Sequence, residues 1–197
     1  MDEGVTPDDL VGFGDEVRIT LHGTLSRVIV PPGINFRQVC QGQRDSVLLS
    51  LCVDGLTGQL SWLWLAGMSH EEILRALVRW NEEGFDAVVW DNASSHREEA
   101  IHGWGMPLVQ QPEYSPELNP AERVNEEIRR FLQGKTFRTL AEKVLAVENR
   151  LRYWKARPEI IQRLCGFPWI HDCVALLEQV SPAAESRDCS CETRVAA

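Results

Sequence analysis

No run of some 18 or more apolar residues occurs in this sequence, so no segment has the length and apolarity of a membrane-spanning helix. The opening MDEGVTPDDL is acidic and lacks the basic region and apolar stretch of a secretion signal. Six cysteines are present (Cys40, Cys52, Cys165, Cys173, Cys189 and Cys191), but none form a CxxC pair. That spacing excludes a zinc finger, and the cysteines are too scattered for a small disulfide scaffold. These absences point to a soluble, cytoplasmic protein in a reducing setting, with no membrane partner. Internal repeats and long linkers are missing too. The 197 residues, 44% of them hydrophobic, suffice for one sizeable core and one domain.

Positive charge is also scarce, with 20 Lys and Arg against 29 Asp and Glu, a net charge of -9. On its face this argues against nucleic acid, whose phosphates are normally neutralised by basic side chains. The distribution is uneven, however. Between Arg123 and Arg157 ten basic residues face four acids, a local charge of +6. A solvated helical face laced with i,i+4 pairs is the ordinary explanation. It becomes a DNA surface only if nearby acids form a phosphodiester-cleaving site.

The hydrophobic pattern predicts strands at Val11 to Leu21 and Ser26 to Val30, the second ended by Pro31-Pro32-Gly33. Ser46 to Val53 and Gln59 to Ala66 read as strands either side of a DGLTG turn in which Asp54 is structural, completing a meander of about three strands. Ser69 caps a helix with apolar positions Ile73, Leu74, Leu77, Val78 and Trp80, stopped by Gly84. A buried strand at Phe85 to Trp90, a short helix around Arg97 to His102 and a strand at Pro107 to Gln111 follow. Helices are then expected at Pro120 to Leu132, with Asn119 as N-cap, at Leu140 to Trp154, at about Pro158 to Leu164 and at Ile170 to Gln179. The tail from Ser181 is polar enough to be disordered. Strands first, then alternating helix and strand, then helices imply an α/β fold around a mixed sheet.

Three acids fall at telling places in that order. Asp15 lies in the first strand, Asp91 ends the strand after the first helix, and Glu122 occupies the first turn of a later helix. A carboxylate at the C-terminal end of a strand projects into the crevice where α/β sheets bind ligands. Three hard oxygen donors suit Mg2+, with Mn2+ as a substitute. Two such ions about 3.5 to 4 Å apart could activate a water or a 3'-hydroxyl and stabilise the leaving oxygen of an in-line displacement. The acids would then bind metal rather than transfer protons.

At these positions the chain resembles the DDE-type transposases of bacterial insertion sequences, related to the mariner superfamily. WDNASSH at Trp90 to His96 resembles the family's second-aspartate motif, and YSPELNPAERVNEEIRR at Tyr114 to Arg130 its third-acid motif. GDEVRITL at Gly14 to Leu21 is similar, less closely, to the opening strand. The resemblance covers about Val11 to Trp154. It implies a ribonuclease H-like mixed sheet flanked by helices, with Asp15, Asp91 and Glu122 as the metal-binding catalytic triad, and DNA (transposon ends and target) as substrate. It also implies a homo-oligomer when active. Residues 11–157 would form the catalytic domain, after a lead of residues 1–10 and before a helical extension at 158–180 and a tail at 181–197. Two features depart from the pattern inside the motifs. Asn125 stands where the family usually has tryptophan, which would loosen the packing of the third-acid helix, and thirty residues separate Asp91 from Glu122, fewer than is typical. No helix-turn-helix stretch precedes the first strand, so recognition of terminal repeats would fall to a separate subunit.

Each candidate has an ordinary reading as well. Glu122 could be only the acidic partner of a capping box, Asp91-Asn92 a turn with Asx hydrogen bonding, and Asp15 an exposed strand residue with Glu16 as rival for the metal. Asn92, His96, Tyr114, Asn119 and Arg123 are candidates for orienting the acids or touching DNA. Trp62, Trp64 and Trp90 lie in apolar strand patterns and read as core rather than base-stacking residues. Two other functions compete with transposition: a catalytically inactive transposase remnant or regulator that binds DNA or a transposase partner, and a structure-specific nuclease of the same fold.

Overall fold

The computed structural model of the chain describes residues 9–22, 29–35, 37, 42–91, 93, 96, 101, 104–112, 115–170 and 172. Strand β1 (Val11–Thr20) pairs antiparallel with β2 (Ser46–Val53), and β2 antiparallel with β3 (Leu60–Leu65). The turn between β2 and β3 is held by Asp54, whose carboxylate accepts the Leu56 and Thr57 amides and the Thr57 hydroxyl. That side chain is occupied by the turn itself, the structural role its sequence predicts.

Helix α1 (His70–Glu82) starts where the Ser69 side chain accepts the Glu72 amide, and its end is followed by Gly84 at φ 94°. It returns the chain to β4 (Ala87–Trp90), parallel to β1, and β5 (Leu108–Gln110) lies parallel to β4. The sheet order is β3-β2-β1-β4-β5. After a short 3-10 turn at Pro116–Leu118 come α2 (Ala121–Leu132), α3 (Leu140–Lys155) and α4 (Pro158–Cys165).

Strand alternation divides the core between the two faces of this sheet. Phe13, Val17 and Ile19 of β1, with Leu49, Leu51 and Val53 of β2, pack under Val124 and Ile128 of α2, Val147 and Leu151 of α3, and Ile161 of α4. Leu48, Cys52, Leu65, Val88 and Trp90 pack on the other face against Ile73, Leu77 and Trp80 of α1. Trp90 is thus core, as predicted, tilted against Trp80 at 4.9 Å between ring centroids. Trp62 and Trp64 are half-buried, and both indole N–H groups donate to one Glu148 oxygen, at 2.8 and 2.9 Å. Gly12 marks the tightest approach on this strand: a Cβ there would lie 2.2 Å from Cys52 Sγ and 2.6 Å from the Phe85 ring.

One expected element does not form where described. Ile29 and Val30 are not in strand conformation and are exposed. The five-stranded sheet, in the order β3-β2-β1-β4-β5, does not include them; residues 26–28 lie outside the described residues. Most of the expected helices at Arg97 to His102 and Ile170 to Gln179 lies outside them too, as does the tail. Among the described residues no helix is long and apolar enough to cross a membrane.

Candidate metal centre

Parallel pairing of β1 with β4 sets Phe13 level with Val89. The pairing ends there; Asp15 lies two residues further along β1, and Asp91 directly follows Trp90, the last residue of β4. Alternation turns Asp15 to the face of Phe13 and Val17, under α2, and turns Glu16 to the opposite face. The pleat puts these two acids on opposite faces of the sheet. Glu16 is buried on the far side, accepting the Ser50 hydroxyl at 2.9 Å.

Helix α2 reaches Asp15 from above. Pro120, at φ -63° and ψ -22°, is already helical, and the Asn119 side chain accepts the Ala121 amide at 3.0 Å. Asn119 therefore caps the helix start with its side chain, as its sequence predicts, two residues ahead of Ala121 and with Pro120 between them. Its amide also donates to the Gly14 carbonyl at 2.8 Å, a buried bond that ties the helix start to β1 next to Asp15. Glu122, in the first turn, then crowds Asp15. Burial, followed by the charges of Glu122 and Glu16, pushes the Asp15 carboxyl up to about 7, against a hydrogen bond from Asn125 that lowers it. An acid so raised by its acidic neighbours is short of positive charge, and this donor set suits a divalent cation. The Arg129 guanidinium lies 3.4 Å from the outer oxygen of Glu122 and answers part of that charge.

Asp91 is held differently. Its carboxylate accepts the Ala93 amide at 3.0 Å and meets His96 Nδ1 at 2.8 Å. The His96 ring is 5% exposed and stacks on Trp90 at 4.0 Å between centroids. Its Nε2 stands 3.5 Å from a Glu16 oxygen, within ion-pair reach but out of hydrogen-bond alignment. Although burial opposes it, the two carboxylates raise His96 to about 9, so an imidazolium bridges Asp91 to Glu16. Asp91 is in turn lowered, chiefly by its hydrogen bond from His96.

The structure thus couples the charge of Asp15 with that of Glu122, while Asp91, directly after the last residue of β4, has its carboxylate turned to His96. Among the described residues no three acids, histidines or cysteines stand close enough to hold a metal ion as they are. Asp91, with 55% of its side chain exposed, has room to turn. Arg123 faces away from the acids, paired with Glu126 at 3.0 Å and lying 5.9 Å over the Phe167 ring. Asn92 and Tyr114 lie outside the described residues. Two side chains at the site carry roles the sequence reading did not give them. Asn125 follows Glu122 by three residues and so shares its helix face, and Glu16 anchors His96. Asn125 does not loosen the helix: it is fully buried, and its amide donates to Asp15 Oδ2 at 2.6 Å.

The basic segment is largely spent on internal contacts. Arg123, Arg130 and Arg152 pair with Glu126, Glu127 and Glu148 one turn away, and Lys155 reaches Glu83 at 2.6 Å. Lys143 is buried against the Thr20 carbonyl at 2.7 Å, while Arg150 and Arg157 lie over the Tyr153 ring. The pairs made within the segment leave its net +6 unchanged; the Lys155 pair with Glu83 and the Arg129 pair with Glu122 offset part of it.

Comparison with known proteins bears on this arrangement. A model of the DDE superfamily endonuclease family matches residues 10–142. The chain superposes on the Mos1 transposase paired-end complex with left transposon end at TM-score 0.62 and 18% identity, covering 85% of this chain and 55% of that one. For the Mos1 strand transfer complex the TM-score is 0.61 and the identity 20%, with 85% and 52% covered. A Mos1 mariner paired-end complex with Mn superposes at 0.57 with 20% identity, covering 85% and 53%. The chain therefore spans about half the length of these transposase chains, and what it shares with them is the ribonuclease H-like fold. No curated protein matches the sequence. The match over residues 10–142, which takes in β1, β4 and the start of α2 with all three acids, places the chain in the DDE superfamily endonuclease family.

Proposed function

We propose that the chain is the catalytic domain of a DDE transposase of a mariner-related bacterial insertion sequence, a metal-dependent DNA endonuclease and strand transferase. The observation that supports this reading is the charge coupling of buried Asp15 with Glu122 at the start of α2, with Asp91 directly following β4, the strand that pairs with β1. Asp15, Asp91 and Glu122 would hold Mg2+, or Mn2+ in its place. When bound, the ion supplies Lewis-acid stabilisation of charge on the scissile phosphate and lowers the pKa of attacking water. The protein's own part is positional. His96 sets the Asp91 carboxylate, Asn119 fixes the start of α2 on β1, and Glu122 rides on that helix. Asn92, Tyr114 and Arg123 remain candidates for contact with DNA.

Water attack would nick the transposon ends, and the freed 3'-hydroxyl would then attack target DNA. Residues 11–157 form the catalytic unit in this reading, after the lead of 1–10. The extension at 158–180 shares its core through Ile161 and Cys165, and 181–197 is a tail. Partners would be transposon-end and target DNA, a helix-turn-helix recognition subunit and a second copy of the chain, in the cytoplasm. The test is nicking of supercoiled plasmid by the purified chain in Mg2+ or Mn2+. Open-circular product that disappears with chelator supports the reading; no product from a folded protein that binds plasmid and metal counts against it.

A further inference from the structure

Helix α2 is fastened to β1 at two successive points. Asn119 donates to the Gly14 carbonyl at 2.8 Å, and Asn125 donates to Asp15 Oδ2 at 2.6 Å. Glu122 lies between them in sequence, so the helix that carries one acid also grips the other. The first contact is made to backbone and serves the packing of the helix start. The second is made to a carboxylate, and it fixes which way that carboxylate faces.

Asn125 is an expensive side chain for this position if packing were its only task. It is fully buried at 0% exposure on a helix whose neighbouring inward positions, Val124 and Ile128, are apolar. Its Oδ1 has no hydrogen-bond partner among the described residues. A buried amide with one end unpaired is costly, and an apolar residue of the same volume would avoid that cost. The other oxygen of Asp15, Oδ1, is taken by the Glu16 amide at 2.8 Å. Backbone and Asn125 together therefore hold Asp15 by both oxygens in one orientation.

We propose that Asn125 is a positioning residue for metal binding: by donating to Asp15 Oδ2 it holds that carboxylate in the orientation in which it shares a cation with Glu122. It acts through Asp15, without itself being a ligand. The inference rests on the metal-centre reading above. Partners in the shell around metal ligands typically change affinity by about 10- to 100-fold when removed, and that is the range expected here.

The experiment compares the wild-type chain with Asn125→Leu, by calorimetric Mn2+ titration and by urea unfolding in chelator. Leucine keeps the volume, removes the donor and removes the unpaired Oδ1. The expected result is that Mn2+ affinity falls about 10- to 100-fold while the metal-free variant stays folded, its urea midpoint lowered only by the Asp15 oxygen left unpaired and raised by the loss of the unpaired amide oxygen. Unchanged Mn2+ affinity in Asn125→Leu, with the wild type binding normally, overturns the positioning role and leaves the metal centre standing. Absence of Mn2+ binding by the folded wild type sinks the metal centre and this inference with it. Should leucine disturb the fold, Asn125→Ala gives the same comparison, with the affinity measured on the folded fraction.

Discussion

Glu122→Gln will abolish plasmid nicking, by about 1,000-fold or more, while leaving the protein folded. A metal centre contributes several kcal/mol of charge stabilisation in the transition state, and each 1.36 kcal/mol is tenfold in rate. Glutamine keeps the shape of the side chain and the first turn of α2 but removes the charge an ion would bind. Two effects on stability oppose each other. Loss of an acid near a helix N-terminus costs about 0.3 to 1 kcal/mol, whereas Asp15 is relieved of one of the charges that raises it. The expected outcome is therefore a urea midpoint in chelator close to that of the wild type, beside a lost activity. A variant that still nicks within tenfold of the wild type would remove Glu122 from the site.

The second large effect is on stability and needs no substrate. In chelator, unfolding free energy should fall as pH rises from about 5 to above 9, in two overlapping stages. Asp15 and His96 are both raised by the fold, to about 7 and about 9. A group raised on folding contributes stability that is complete below its unfolded value and is lost as pH rises through its folded value. For Asp15 that window opens near the ordinary carboxylate range and closes at about 7. For His96 it opens near 6.5 and closes at about 9, and the loss is about 3 kcal/mol. The charged groups facing His96 among the described residues are Asp91 and Glu16, with the Trp90 ring stacked on it. Asp91 itself is lowered, so its contribution is lost only as pH falls below the ordinary carboxylate range, outside this interval. His96→Leu should erase the upper stage and destabilise the neutral protein by about 3 to 5 kcal/mol, because Glu16 is left buried without its counter-charge. Saturating Mn2+ should flatten the lower stage, since a cation favours ionised Asp15. Urea unfolding across this range checks both; a flat profile between pH 7 and 9 would mean that His96 is not the bridge between Glu16 and Asp91.

What could be read from the residues alone followed from local physics. The apolar run at Ser46–Val53, bounded by polar residues and a DGLTG turn, forms a strand with those same limits. Ser69 and Asn119 cap helices because their side chains reach amides within three residues, a contact visible in sequence spacing. Asp15, Asp91 and Glu122 stood out by their places within a strand, just after a strand and in the first turn of a helix, and by the motifs around them; the pairing of β1 with β4 sets the strands of the two aspartates side by side.

Other features depended on partners far along the chain. The strand expected at Ser26 to Val30 had suitable β-branched residues, but Ile29 and Val30 lie outside the five-stranded sheet. Asn125 read as a weakened packing residue because its partner, Asp15, lies 110 residues away. Its spacing of three from Glu122 was the available signal. Glu16 and His96 meet only because strand alternation sends Glu16 to the face where Trp90 packs, the side opposite Asp15. The basic stretch after Arg123 makes the helical-face pairs its spacing predicts, whereas the reach of Lys155 to Glu83 and of Lys143 to the Thr20 carbonyl spans distant parts of the chain.

The central claim is that Asp15, Asp91 and Glu122 form one metal centre even though Asp91 is turned to His96 in this structure. Calorimetric titration of the purified chain with Mn2+, beside its Asp91→Ala variant, tests it most directly. The account predicts saturable binding by the wild type that is lost or severely weakened in Asp91→Ala, with both proteins equally folded. Undiminished binding in Asp91→Ala, or no binding by the folded wild type, would contradict it.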